Sequence, residues 1–230
     1  MWEHLMDKLK NISISDSKDQ AKWVLEKKGA YTTCSMYRYL SNRGMINKRL
    51  NLLWSSRMPL KIKVFLWLAF QDRLPTGSVL KKRNWKGCGD CIICKVPETA
   101  DHIFFLCPIA KFVWTCASEA LHWNKIPTSM QNFLEGWLPL GCKDYRVKLL
   151  FFAAVLWSLW ITRNKMTIEG VFIKSPSNVI FKLDSFIQRW RKMLCASDGE
   201  MVESWRTQVQ GWLEEFLERL RDRPPEMDFI

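Results

Sequence analysis

The residues of this chain best placed to do chemistry are three cysteines and a histidine in one short segment, spaced Cys91-x2-Cys94-x7-His102-x4-Cys107. Three thiolates and an imidazole suit a borderline-soft d¹⁰ ion, and zinc takes four such donors tetrahedrally. A Cys-x2-Cys pair lets one tight turn aim two sulfurs at one ion. The second half is harder to arrange, because five residues of an ideal α-helix rotate by about 140°, so His102 and Cys107 on one regular helix point apart. Pro108 biases Cys107 out of the helical region. A helix that begins near Ala100, capped by Thr99, should therefore end there and let the sulfur swing back. All four positions are filled by protein, leaving none for water or substrate, so the spacing predicts one structural zinc. Cys88-x2-Cys91 is an equally good pair, and a register that uses Cys88 stays open.

The remaining inventory holds little that could catalyse. Of the three histidines, only His102 has metal-ligand neighbours. No Gly-rich phosphate loop, nucleophile elbow or His-Glu-x-x-His is present, and the carboxylates are scattered. The reading is of a non-catalytic chain. The protein has 230 residues, 13 Trp and 13 Phe, enough apolar area for a real core. Its 35 Lys and Arg against 23 Asp and Glu give a net charge of +12. By count, residues 171–230 are nearly neutral, so the surplus lies in residues 1–170. A field of that sign attracts polyanions such as nucleic acid, and equally serves solubility. Met1 to Asp7 has an early acid and no apolar run, so no secretory signal is expected and the chain is read as intracellular, nuclear or cytoplasmic. In such a compartment clustered cysteines favour metal over disulfides.

The elements that must position the cluster follow from periodicity and punctuation. Residues 11–20 are polar and short of large apolar groups, and residues 1–20 read as a mobile lead-in. Trp23 to Thr33, with a Lys-Gly turn between β-prone runs, predicts a small N-terminal β-hairpin, followed by a helix from Ser35, as its cap, toward Gly44. Pro59 opens a helix through Phe70 that is apolar on most faces and must be central. Thr76 should cap Ser78 to Arg83. Further helices are predicted over Pro108 to Leu121, Asp144 to about Met166, Ser177 to Leu194 and Gly199 to Arg221, with Pro224-Pro225 opening a tail over 224–230. The apolar run Leu149 to Ile161 is short of the roughly 18 to 20 residues that span a bilayer, and reads as a buried helix; no membrane partner is expected. The fold class is mainly α, a helical domain with one hairpin and one zinc knuckle.

Trp54, the run Pro59-Leu60-Lys61-Ile62-Lys63-Val64-Phe65-Leu66-Trp67, Arg73-Leu74-Pro75-Thr76, Leu80, Arg83, the four ligands with Pro108, and Trp114 together resemble the zinc-binding domain downstream of the reverse transcriptase in plant LINE-type, non-LTR retrotransposons. The likeness covers about residues 20–120, dividing the chain into that domain (21–120) and a C-terminal helical region (121–223). Trp157-x2-Trp160-x2-Arg163-Asn164 is similar to the helix that often follows. Lys95 departs from the pattern, standing where family members often carry glycine in a left-handed turn. Neither the paired aspartates of a polymerase palm nor the acidic constellation of a ribonuclease H is present, so the resemblance implies a stand-alone or domesticated fragment.

The resemblance implies contact with RNA or DNA. The residues that could make it are Lys61 and Lys63, Arg73, and Lys81-Lys82-Arg83 with Lys86 beside Trp85. Cationic groups would pair phosphates and the ring could stack on a base, although Trp85 is read as a core residue first and the lysines serve equally as a solvated face. Two other readings stay open: a structural protein whose amphipathic C-terminal helix docks a protein partner, and an element relic with no present function.

Overall fold

The computed structural model describes residues 6, 21–42, 48–123 and 126–221. It divides into two units, residues 1–47 and 48–230. The expected lead-in over 1–20 and tail over 224–230 lie outside the described residues, Met6 apart.

In the first unit, no strand forms among the described residues, so the N-terminal β-hairpin is not found. Residues 24–28 make turns instead, closed by Trp23 N–H donating to Gly29 O at 2.7 Å and Gly29 N–H to Glu26 O at 2.9 Å. The physical reason lies in burial. Val24, Leu25 and Tyr31 are exposed, and a two-stranded ribbon with no core behind it has little to hold it. Helix α1, Thr33–Asn42, starts three residues earlier than the expected Ser35 cap implies. Its cap is Thr32, whose Oγ1 accepts from Ser35 N–H at 3.1 Å, while buried Ser35 Oγ accepts from the Trp23 indole at 2.7 Å.

The second unit is built of helices joined by turns and loops among its described residues, with one isolated antiparallel bridge. Its helices are α2 Lys48–Ser55, α3 Leu60–Phe70, α4 Gly77–Lys82, α5 Pro108–Ala120, α6 Tyr145–Ile168, α7 Ser177–Trp190 and α8 Ala196–Arg221. Two π-helical turns join them, His102–Leu106 and Phe133–Trp137. The axis of the core is α6, in which Leu149 through Leu156 are all buried. At 24 residues it is long and apolar enough by composition to cross a membrane, longer than its apolar run alone implied, yet 83% of its most apolar stretch is buried inside the protein. It is a core helix. Helices on several sides explain why it shows no amphipathic stripe.

Aromatic side chains fill the spaces between these helices. Phe65 of α3 meets Trp157 edge-on at 5.0 Å and Phe104 at 6.0 Å, and Phe133 stacks on Phe152. The amphipathic face of α8 is used mostly within the chain. Trp205, Val209, Trp212, Leu213, Phe216 and Leu217 all pack on the common core, Trp212 donates its indole N–H to Glu119 at 2.8 Å, and Arg206 pairs with Asp184 of α7. Much of the apolar face of this helix thus meets α5, α6 and α7, while Met201 and Leu220 stay exposed along it.

One hydrogen bond sets how α5 follows the first π turn. Pro108 has no N–H, so the Phe104 carbonyl lacks the donor that a continuing helix would bring. Trp114 supplies it from α5, its buried indole donating to Phe104 O at 2.7 Å. Replacing Trp114 by Phe keeps most of the packing and strands that carbonyl, and should lower unfolding stability by about 1 to 3 kcal/mol, measured by denaturant titration of the metal-loaded protein.

Candidate metal centre

The first two ligands sit on a knuckle formed by residues 89–98. An isolated antiparallel bridge joins Asp90 to Pro97, Cys91 N–H donates to Val96 O at 2.8 Å, and Lys95 N–H returns to Cys91 O at 2.9 Å. The turn requires a left-handed residue, and Lys95 takes it with φ 58°. A side chain with a Cβ in that region costs on the order of 1 to 2 kcal/mol, so the knuckle closes against local strain.

The other two ligands come from the π turn. Thr99 Oγ1 accepts from His102 N–H at 3.0 Å, capping this segment as expected. The backbone then makes an i to i+5 bond, Cys107 N–H to His102 O at 2.8 Å. A π turn brings residues five apart over one another, which an α-helix does not. Cys107 then leaves the helical region at φ −61°, ψ 143°, as Pro108 demands. The spacing of five is thus solved twice over, by the wider turn and by the extended Cys107.

The four donor atoms lie within 4.8 Å of one another. Cys94 Sγ is 3.1 Å from His102 Nε2. Ligand bonds of about 2.3 Å in a tetrahedron put sulfurs roughly 3.8 Å apart, so the set fits a single metal ion. Cys91, His102 and Cys107 are buried and Cys94 partly so, whereas Cys88 is exposed and outside the group. Without metal, burial pushes the Cys107 thiol up to about 12, and burial followed by contact with Cys91 raises Cys94. Burial also lowers His102, against the opposing charge of Glu98, which favours the neutral imidazole a metal needs. Thiols raised in this way carry protons at neutral pH, so metal binding releases them and strengthens as pH rises.

Glu98, between Cys94 and His102, was not singled out from sequence. It is 2% exposed. Its carboxylate accepts from Gly77 N–H, the first residue of α4, at 2.9 Å and takes two bonds from Arg163 of α6, one from Nε at 2.9 Å and one from Nη2. Its backbone N–H donates to Gly89 O and its carbonyl accepts from Ser78 N–H, both at 3.0 Å. Arg163 also lies 5.2 Å from the Trp160 ring centre. One residue thereby ties the knuckle to α4 and α6. Only backbone without side chains allows this approach, since a Cβ on Gly77 would run into the Gly89 carbonyl. A carboxylate in a strongly basic half of the chain was the only sequence signal, and its partner lies 65 residues away.

The remaining expected site residues divide. Lys61 Nζ lies 5.0 Å from the Trp157 ring centre, and Lys63 donates to Trp54 O at 2.8 Å, so both carry intramolecular contacts. Arg73, Lys81, Lys82, Arg83 and Lys86 are exposed. Trp85, expected in the core, is 45% exposed instead.

With this geometry in place, comparison with known proteins is informative. Residues 31–114 match the family described as zinc-binding in reverse transcriptase. The match falls inside the span of the expected resemblance and contains all four ligands. An Arabidopsis thaliana protein whose name describes a ribonuclease H protein is 23% identical over 158 residues, which is 64% of this chain and 25% of that protein. The chain thus spans about a quarter of the length of this curated relative. No solved structure matches it.

Freshly purified protein should hold one zinc per chain by metal analysis, with Cys94→Ala or His102→Ala losing both metal and cooperative unfolding, and Cys88→Ser retaining both. Zinc lost with Cys88→Ser would place that thiol among the ligands. Glu98→Ala leaves Arg163 buried without its counter-ion and Gly77 N–H without an acceptor, and should cost about 3 to 5 kcal/mol, read as a fall in the denaturation midpoint.

Proposed function

We propose that this chain is a zinc-stabilised, non-catalytic module of retrotransposon reverse-transcriptase origin that binds RNA or DNA through the basic segment Lys81–Lys86. The observation that carries it is the family match over a Cys₃His cluster with an exposed basic segment next to it in the chain. Four protein ligands saturate a tetrahedral ion, so zinc would supply folding energy and leave no open position for Lewis-acid chemistry. The knuckle, held by metal, in turn supports α4, whose last turn carries Lys81 and Lys82.

Binding through phosphate contacts predicts affinity that falls linearly with salt on logarithmic axes, by ~0.9 per neutralised phosphate on duplex DNA and ~0.7 on single strands. Changing Lys81, Lys82 and Arg83 together to Gln should flatten that slope by about 2 to 3 units without loss of zinc. A slope unchanged by the triple substitution, or binding absent at physiological salt, removes the nucleic-acid reading.

A further inference from the structure

Resting on that reading, we infer that the segment is built for single-stranded nucleic acid, with Trp85 as a fixed platform for one unpaired base. Two residues past the end of helix α4, Asn84 takes the left-handed region, φ 63°, and Trp85 N–H donates back to Leu80 O at 3.1 Å. That closure fixes where the Trp85 side chain leaves the backbone. The indole then folds over Gly87: a Cβ there would collide at once with three consecutive ring atoms, Cε2, Cζ2 and Cη2. Simultaneous approach to three neighbours is approach to the ring's face, because an edge approach reaches one atom and leaves the next two farther off.

One face of the indole is therefore backed by glycine backbone, while Trp85 as a residue is 45% exposed, so the ring is held and still accessible. A large aromatic held this way has little freedom left to lose on binding. Around it Lys81, Lys82, Arg83 and Lys86 are exposed, with no ion pair or side-chain hydrogen bond among the described residues. The Lys81 stem lies along Gly89, which also gives that ammonium a defined origin. An isolated ring amid unpaired cations matches a ligand that offers a flat π-face and phosphates together. Duplex nucleic acid hides its base faces within the stack, so only unpaired bases can use both.

The test compares oligothymidylate of about a dozen nucleotides with a mixed-sequence duplex, by fluorescence anisotropy of labelled strands against the zinc-loaded full chain. Single strand should bind more tightly than duplex. Trp85→Ala should weaken single-strand binding roughly 5- to 150-fold while leaving duplex affinity, salt slope and zinc content unchanged. Gly87→Ala, which dislodges the ring without removing it, should produce a loss of the same kind, and Trp85→Phe should recover part of it. Single-strand affinity unaffected by Trp85→Ala overturns the platform while leaving the phosphate contacts standing. A wild-type protein that binds neither probe overturns both readings, and the unchanged zinc content of the variants separates either result from misfolding.

Discussion

The Glu98 carboxylate is the interaction on which the second unit depends. A metal can gather four ligands from a short segment, but it cannot place that segment against the rest of a protein. Here a single buried acid does so, joining a backbone N–H at the start of α4 to a guanidinium on α6. Burying both charges carries a desolvation penalty that only good geometry and further hydrogen bonds can offset. The fork of Arg163 and the Gly77 amide provide them. Metal site, basic segment and core helix then stand in fixed relation.

The π turn is the second constraint. A knuckle pair is easy to build because its two cysteines lie within one turn, but His102 and Cys107 must be reconciled with a helix that also continues into the core through Phe104 and Phe105. Both phenylalanines are buried to 1% exposure or less. Widening one turn lets the six residues His102 to Cys107 face the metal at their ends and the core through Phe104 and Phe105. Trp114 stabilises the result by satisfying the carbonyl that Pro108 leaves open.

What could be read from sequence was local. Ligand spacing, the Thr76 and Thr99 caps, Pro59 and Pro108, the continuous apolar run of α6 and the apolar periodicity of α5, α7 and α8 act over a few residues, and they located the Cys/His cluster and most helices. The hairpin failed because β-prone residues such as Val24 and Tyr31 need a packed surface behind them, which no local pattern reports. Glu98 escaped notice because its meaning lies in Arg163. For α8 the apolar face was legible, but periodicity does not say whether such a face meets its own chain or another. Trp85 was misjudged for a related reason: a tryptophan is usually buried, and only its place in the folded chain shows that this one is exposed.

The burial of α6 has a consequence for how the chain is made. The helices that sheathe it on one side, α7 and α8, are translated after it, and α8 ends roughly fifty residues downstream. At ribosomal speeds of ~5 to 20 residues per second, a stretch apolar enough to enter a bilayer waits on the order of 3 to 10 s for its cover. During that interval the nascent chain presents the same surface that membrane-targeting factors and chaperones recognise. A message truncated before α8 would leave part of that apolar surface without its cover, so α8 closes the core over α6 as well as extending it.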